Sequence, residues 1–337
     1  MPRVRKTLVS VIYLTILTSC PLSLAGAAPP AAAPSPETLR IQVLLDRLGF
    51  SPGVLDGQAG LSLERALKGY QAANDLPESG KPDEKTLAAL DVHKDVAATV
   101  DVTLGDGDFR GPFVGPIPRS EAKQAALPAM GYADPTEALA ERFHTTPALL
   151  RSLNGADMKV VQGVTLKVPN VLPASTAYPA SFKPEWSATL ASLSVSADQP
   201  RAAKLVVDKS DGVLRAYDEA GKLIAQFPVT TGSQHDPLPI GNWKIQGTSF
   251  LPPFHFNPKL FWDAKAGEQK QVLKPGPNGP VGVVWMDLDK PHYGIHGTPM
   301  PENIGRTESH GCIRLTNWDA ARLSMMVKPG TPAIFQP

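Results

Sequence analysis

The sequence predicts a multidomain protein in which a small three-helix bundle precedes a mainly β domain. Apolar residues recur at helical spacing through residues 37–91, whereas from Lys204 onwards they alternate as they do in strands. The chain has 337 residues, which suggests about two domains at ~150 residues each. Proline occurs 35 times, about twice its ordinary frequency of ~5%, so linkers or rigid loops are expected between the folded parts.

The charges of the chain nearly cancel, because 33 Lys and Arg side chains stand against 32 Asp and Glu side chains and give a net charge of +1. A chain without a global positive field has no general attraction for polyanions. Nucleic acid is therefore not expected as a partner.

The N-terminus has the order of a secretory signal, in which basic residues precede the apolar run Leu8–Leu17. Small residues at Ala25–Ala27 would end a signal peptide over residues 1–27, whereas a lipoprotein site before Cys20 would leave a lipid on that cysteine. Both predict export to the periplasm or cell wall, with a membrane contact only through that lipid; an uncleaved N-terminal anchor is the alternative. Cys312 then remains as a lone exported thiol, which is either an inert core residue or a nucleophile.

Residues 28–36 read as a Pro/Ala-rich linker, and the first helix is expected to begin where Ser35 caps it and Pro36 takes its first position. Glycine at position 49 is expected to end this helix, and Asp83 is expected to cap the third one. The apolar faces of the three helices are formed by Ile41, Leu44, Leu45, Leu48, Leu63, Ala66, Leu67, Tyr70, Leu87 and Leu90.

The order of segments in this bundle, IQVLLDRLGF, SPGVLDGQAG, ERALKGYQAANDL and SGKPDEKTLAAL, resembles the peptidoglycan-binding domain of cell-wall hydrolases and transferases. The resemblance covers residues 37–91, departs at Tyr70 and Leu61–Ser62, and implies peptidoglycan glycan strands as a partner. A generic helical spacer is the alternative.

Residues 92–129 are rich in glycine and proline and are predicted to be a linker. Residues 130–170 then show the order helix, helix and strand, which resembles the lysin-motif glycan-binding module, although its first strand is not identifiable. An interdomain packing element is the other interpretation. Residues 171–200 are again Pro/Ser/Ala-rich and are predicted to be a linker.

Residues 201–337 are predicted to form the β domain, with short strands at 204–208, 213–217, 222–227 and 243–245. A late helix is expected over Trp318–Val327, with Asn317 as its N-cap.

Between that sheet and that helix, the segment His292–Leu315 brings together three histidines and the thiol of Cys312. A thiol near neutral pH is mostly protonated, so a nucleophilic cysteine needs an imidazole or another positive group beside it. His310 lies two residues before the cysteine in sequence, and His296 can reach it if the fold brings the two together. Backbone N–H groups at Gly311 and Cys312 could stabilise an oxyanion, because that role needs donors and no particular side chain.

Arg314 has the fork of donors that suits a substrate carboxylate, although pairing with an acidic neighbour is the alternative. Zinc is the competing chemistry, with His292, His296, His310 and Cys312 as its ligands, but Gly294 opposes a helical HxxxH pair and no CxxC is present. We therefore predict neither a metal nor a cofactor.

The motifs HGT at 296–298, IG at 304–305 and SHGCIR at 309–314 resemble the L,D-transpeptidase catalytic domain, and the resemblance extends from Lys204 to about Phe335. The segment TTG followed by PIGNW also fits, with Leu238 where that family usually has threonine. The resemblance implies a β-sandwich-like fold, Cys312 as nucleophile, His296 as general base, and the Gly297 carbonyl as the group that orients the imidazole. It further assigns supporting roles to His310 and Gly311 and substrate binding to Arg314, Ser309 and Tyr293.

The implied reaction is a cysteine-dependent acyl transfer on peptidoglycan stem peptides. Cys312 would attack the bond between meso-diaminopimelate and D-Ala of a tetrapeptide stem, release D-Ala, and pass the acyl group to an amine. That amine belongs either to a second stem, which gives a 3→3 cross-link, or to an envelope protein. Carbapenem-type β-lactams are expected to acylate the same thiol. An L,D-carboxypeptidase that uses water and a non-catalytic wall anchor are the alternatives.

Overall fold

The computed structural model describes residues 33–337, so the predicted signal peptide and Cys20 lie outside the described residues. Residues 33–337 form one compact unit. None of their helices is long and apolar enough to cross a membrane.

Three helices form the first part of this unit: α1 (Pro36–Arg47), α2 (Leu61–Ala73) and α3 (Glu84–Leu90), followed by a short 3₁₀ helix at Asp91–His93. Ser35 caps α1 by accepting a hydrogen bond from the Thr38 N–H, and Asp83 caps α3 in the same way from the Thr86 N–H, as predicted. The apolar faces of α1 and α2 meet in one cluster that also takes in Leu90. The predicted helical bundle is confirmed.

The segment predicted as a linker at 92–129 contains a strand, so that prediction is wrong over part of its length. Strand β1 (Thr99–Thr103) pairs antiparallel with β2 (Thr165–Pro169). Between them lie a 3₁₀ helix at Asp106–Phe109 and three helices: α4 (Glu121–Ala125), α5 (Pro135–Arg142) and α6 (Pro147–Asn154). Strand β1 is the strand that the sequence alone did not reveal, and it joins α5, α6 and β2 around a shared apolar cluster.

The second predicted linker, 171–200, also contains regular structure. Helix α7 (Pro184–Ser192) buries Trp186 and Leu190 in the core of the β domain. Burial of these two large apolar side chains holds the segment on the β domain, so it does not act as a free linker.

The β domain contains the strands β3 (Lys204–Asp208), β4 (Val213–Tyr217), β5 (Leu223–Pro228), β6 (Gly241–Phe250), β7 (Phe254–Phe256), β8 (Gln271–Leu273), β9 (Val284–Leu288), β10 (Gly294–His296), β11 (Ile313–Arg314) and β12 (Pro332–Gln336). Strands β7 and β8 pair with each other, and the other eight form one mixed sheet in the order β11-β10-β9-β6-β12-β3-β4-β5. Strand β6 pairs with β12 over its first half and with β9 over its second, and its register shifts between Ile245 and Gly247. Both halves of the sheet contribute to one core, in agreement with the predicted β-sandwich-like domain.

Helix α8 (Asn317–Met326) lies within this core and buries Trp318 and Leu323. Its N-cap is Thr316, whose Oγ1 accepts a hydrogen bond from the Asp319 N–H. The predicted cap, Asn317, is therefore wrong: it is the first residue of the helix, and its side chain is free to bond elsewhere.

The helical bundle packs directly on the β domain. Asp46 of α1 forms a bidentate ion pair with Arg322 of α8, with N···O distances of 2.9 and 2.8 Å. Ser51 donates a hydrogen bond to Asp319 at 2.7 Å, and His144 stacks on Trp318 with ring centroids 4.8 Å apart. These contacts join three parts of the sequence at one helix.

Candidate active site

The pairing of two short strands places the predicted nucleophile and the predicted base on one face of the sheet. Strands β10 and β11 are parallel, with Ile295 opposite Ile313 and His296 opposite Arg314. Because side chains alternate along a strand, the two isoleucines point into the core, where they are fully buried. His296 and Arg314 therefore share the other face, and Cys312, two residues before Arg314, lies beside them.

The imidazole of His296 is held in one tautomer. Its Nδ1 lies 2.7 Å from the carbonyl oxygen of Gly297, and a carbonyl can only accept, so Nδ1 carries the proton and Nε2 has the free lone pair. Burial and the nearby Arg314 charge lower the pKa of His296 to about 3. The ring is therefore neutral at pH 7 and can accept a proton at Nε2.

Trp285 completes the setting of this imidazole. It lies opposite His296 on β9, and the two rings stack with centroids 5.3 Å apart. Nothing in the sequence singled out this residue beyond its position in the predicted β domain. A groove of about 840 Å³ extends from Trp285 towards Phe250 and Trp186, which stack on each other.

Cys312 is half-buried, and its thiol contacts backbone rather than a charged side chain. Its Sγ lies 3.8 Å from the His292 carbonyl oxygen and also accepts from the Gly294 N–H. Burial raises the pKa of Cys312, and Gly294 and Arg314 oppose that shift only in part. The resting protein therefore holds a neutral thiol and a neutral imidazole on the same face of the β10–β11 pair.

The turn that carries the cysteine depends on two local features. Gly311 has a φ of +99°, and a side chain there would collide with the ring of Tyr293. Ser309 is buried and donates its hydroxyl to the Cys312 carbonyl at 2.6 Å, so this hydroxyl shapes the turn. Substrate binding by Ser309 and Tyr293 and oxyanion binding at Gly311 stay predictions.

The side chain of His310 contacts a neighbouring loop rather than the thiol of Cys312. Its Nε2 lies 2.9 Å from Asp263, and its ring meets the edge of Phe261. That loop connects β7 (Phe254–Phe256) to β8 (Gln271–Leu273) and includes a 3₁₀ helix at Pro258–Leu260. Sequence reasoning missed this hairpin, because its strands have only three residues each.

Arg314 has no acidic partner within salt-bridge distance among residues 33–337. Its Nε is buried without a hydrogen-bond partner, and burial lowers the pKa of its guanidinium. A buried donor without an acceptor is costly. Within residues 33–337 the alternative in which Arg314 pairs with an acidic neighbour is therefore wrong, and substrate binding by its guanidinium stays a prediction.

Metal ligands are not grouped in the part of the chain that the structure describes: residues 33–337 contain no cluster of three or more His, Cys, Asp or Glu side chains placed to hold an ion. His310, one of the four ligands in the zinc alternative, instead contacts Asp263.

Comparison with known proteins identifies two families in the chain. Residues 202–335 match the family described as "L,D-transpeptidase catalytic domain", and residues 34–90 match the family described as "Putative peptidoglycan binding domain".

Curated relatives match the same catalytic region. The Bacillus licheniformis protein "Putative L,D-transpeptidase YkuD" is 31% identical over 134 residues, which are 40% of this chain and 66% of that protein. The Escherichia coli protein "Probable L,D-transpeptidase YbiS" is 30% identical over 135 residues, 39% of this chain and 44% of that protein. The chain thus covers less than two thirds of the length of these relatives.

Among solved structures, an L,D-transpeptidase from Mycobacterium smegmatis shares 20% identity, with a TM-score of 0.33 over 40% of this chain and 58% of that one. The assignment rests on the sequence matches rather than on this overlap. The chain therefore carries a catalytic domain of the L,D-transpeptidase family, preceded by a domain of the peptidoglycan-binding family.

Proposed function

We propose that this chain is a cysteine-dependent L,D-transpeptidase that acts on peptidoglycan stem peptides. The observation that carries the proposal is the arrangement of His296, Cys312 and Arg314 on one face of the β10–β11 pair, with the His296 Nδ1 proton committed to the Gly297 carbonyl. This arrangement supplies a nucleophile, a base with a free lone pair, and a cation for a substrate carboxylate.

In the proposed acylation step, the Cys312 sulfur attacks the carbonyl carbon between diaminopimelate and the terminal D-Ala. Its proton passes to Nε2 of His296 as the C–S bond forms, because the raised pKa of the thiol and the lowered pKa of the imidazole disfavour a resting ion pair. The C–N bond then breaks, and the imidazolium gives its proton to the departing amine of D-Ala. A thioester remains on Cys312.

In the second step an amine attacks the thioester carbonyl and gives its proton to His296. The C–S bond breaks, and the thiolate takes that proton back through the imidazole. A diaminopimelate amine would give a 3→3 cross-link, whereas a lysine of an envelope protein would give protein attachment. The groove lined by Trp285, whose ring stacks on His296, has the volume for a peptide segment.

We further propose that the helical bundle and the β1-α5-α6-β2 unit bind the polymer on which the catalytic domain acts. The strand β1 supplies the element that the lysin-motif resemblance lacked in the sequence, and its five residue pairs with β2 close the unit. Because both modules pack on the catalytic domain, binding would present the active site in a fixed orientation to the wall.

The test is incubation of the purified mature protein with tetrapeptide muropeptides, followed by mass spectrometry, with Cys312→Ala as the control. Cross-linked dimers that have lost D-Ala, absent from the control, are the expected result. Tripeptide alone would mean that water is the acceptor and that the chain is an L,D-carboxypeptidase. The absence of both products with an active-site thiol that reacts normally would overturn the proposal for stem peptides.

A further inference from the structure

Asn317, the first residue of α8, is fully buried and packs against Gly297, the residue that follows His296. Its Oδ1 accepts a hydrogen bond from the Val283 N–H at 3.1 Å. Since a backbone N–H can only donate, this bond fixes the orientation of the amide group. Its Nδ2 must therefore face the opposite side, towards acceptors.

The acceptors for Nδ2 are the Pro277 carbonyl at 3.1 Å and Oε1 of Glu141 at 2.7 Å. Glu141 belongs to α5, which lies outside the residues 202–335 that match the catalytic family. Its carboxyl group is buried and also bonds to Tyr132. A side chain from a different part of the protein therefore completes the hydrogen bonding of Asn317.

The fixed amide group in turn confines Gly297. A side-chain carbon on Gly297 would overlap Asn317 Oδ1, and a side-chain carbon on Gly282 would overlap the same atom. Asn317 thus packs against the glycine whose carbonyl holds His296 Nδ1 at 2.7 Å. A rotation of the Asn317 amide would shift the peptide that sets the imidazole.

We propose that Glu141 is a positioning residue for His296, acting through Asn317 and Gly297. The inference deepens the proposed function and rests on it, because it assigns the orientation of the general base His296 to a residue of the middle module, the β1-α5-α6-β2 unit. A second contact holds the same helix end: His144, three residues after Glu141, stacks on Trp318 next to Asn317. The catalytic machinery is therefore incomplete without residues of the 132–144 segment.

The test compares Glu141→Met, which keeps the size of the side chain and removes its acceptors, with Glu141→Gln, which keeps an acceptor for Asn317. The control is Thr145→Val, which removes the buried hydrogen bond from Thr145 to the Leu55 carbonyl in the same module without touching Asn317. Two rates are measured on each purified protein: muropeptide turnover, resolved into kcat and KM, and alkylation of Cys312 by iodoacetamide from pH 5 to 10.

Glu141→Met is expected to lower kcat about tenfold with KM nearly unchanged, because a small displacement of a catalytic group costs rate rather than affinity. The same variant is expected to alkylate more slowly at pH 7, because the displaced imidazole accepts the thiol proton less readily. Glu141→Gln is expected to restore both rates to within about twofold, and Thr145→Val is expected to leave both unchanged.

Wild-type values for a folded Glu141→Met would overturn the inference, and so would an equal loss in Thr145→Val, which would indicate a general structural effect. If Glu141→Met does not fold, Glu141→Asp carries the same expectation, because the shorter side chain withdraws the carboxyl from Asn317. The groups that face Glu141 and could alter its protonation are Tyr132, Glu137 and Glu302, and Glu141→Gln removes that titration. If the wild type turns over no muropeptide, the proposed function fails, while the alkylation profiles still decide the role of Glu141.

Discussion

Replacing Arg322 by methionine is expected to destabilise residues 33–337 as a whole, because it strands a buried charge between the helical bundle and the β domain. Both oxygens of Asp46 are bonded to the guanidinium, at 2.9 and 2.8 Å, and the Asp46 carboxyl is fully buried. Burial alone would raise the pKa of Asp46, yet Arg322 and His144 hold it well below its usual range. The carboxylate is therefore charged, and its charge depends on these partners.

The size of the effect follows from that geometry. Removing one partner of a buried ion pair typically costs about 3–5 kcal/mol, since the other charge is left without compensation. Neutralising the remaining Asp46 carboxylate is expected to restore a large part of the lost free energy of unfolding. Asp46→Asn keeps an oxygen for His144 Nδ1, so the double variant Asp46→Asn with Arg322→Met is expected to recover about 2 kcal/mol.

The measurement is equilibrium unfolding in urea, followed by tryptophan fluorescence and by far-UV circular dichroism, on the wild type, both single variants and the double variant. Coincident transitions are expected, because the bundle and the β domain form one compact unit. A loss below about 1 kcal/mol for Arg322→Met, or a separate early transition of the helical bundle in the wild type, would refute the reasoning.

Three further predictions concern the site and its support. Gly297→Ala is expected to lower the free energy of unfolding by about 1–3 kcal/mol through overlap with Asn317 Oδ1, and to abolish most turnover. The control is Gly247→Ala, where no atom lies within 4 Å of the added carbon, and it is expected to be near neutral in the same unfolding and turnover assays. Arg314→Lys is expected to raise KM about tenfold through loss of the fork of donors; an unchanged KM would remove Arg314 from substrate binding. Burial raises the pKa of Glu141 to about 7, so between pH 4.5 and 7 the unfolded state ionises first and the stability contributed by this residue falls, on the order of 3 kcal/mol. Unfolding of Glu141→Gln is expected to lack this fall, and parallel pH profiles for the two proteins would contradict it.

Local patterns in the sequence predicted those parts of the fold that local physics determines. The caps at Ser35 and Asp83 and the strands β3 to β5 occur where residue type and periodicity placed them. The predicted cap at Asn317 was wrong because Thr316, one residue earlier, offers a hydroxyl at the same helix end. Neighbouring polar residues of similar capping strength cannot be ranked without knowing which of them is needed elsewhere.

What the sequence could not predict depends on contacts between distant residues. Strand β1 is a short run, TVDVT, whose identity as a strand depends on its partner 62 to 70 residues later. Helix α7 looked like a linker, because its apolar content is modest and only two of its residues, Trp186 and Leu190, enter the core. The hydrogen bond between Asn317 and Glu141 joins residues 176 apart in sequence, and no motif spans such a distance.

The same limit applies to the active site. The motif SHGCIR places Cys312 and Arg314 two residues apart, so that their side chains share a face. Only the register of β10 against β11 shows that His296, rather than His310, lies on that face with them. His310 was expected to support the site, and in the structure its Nε2 contacts Asp263 of the β7–β8 hairpin. The hairpin itself has too few strand residues to be recognised from alternation.

The central claim, that Cys312 forms a thioester with the stem peptide, is tested most directly by intact-protein mass spectrometry after rapid quenching. The wild type is mixed with a tetrapeptide donor whose diaminopimelate side-chain amine is acetylated, so that no acceptor amine is present, with Cys312→Ala as the control. The expected result is a mass increase equal to the donor minus D-Ala, mapped to Cys312 and removed by added amine. Turnover of the donor by the wild type without any adduct on Cys312, or turnover by Cys312→Ala, would contradict it.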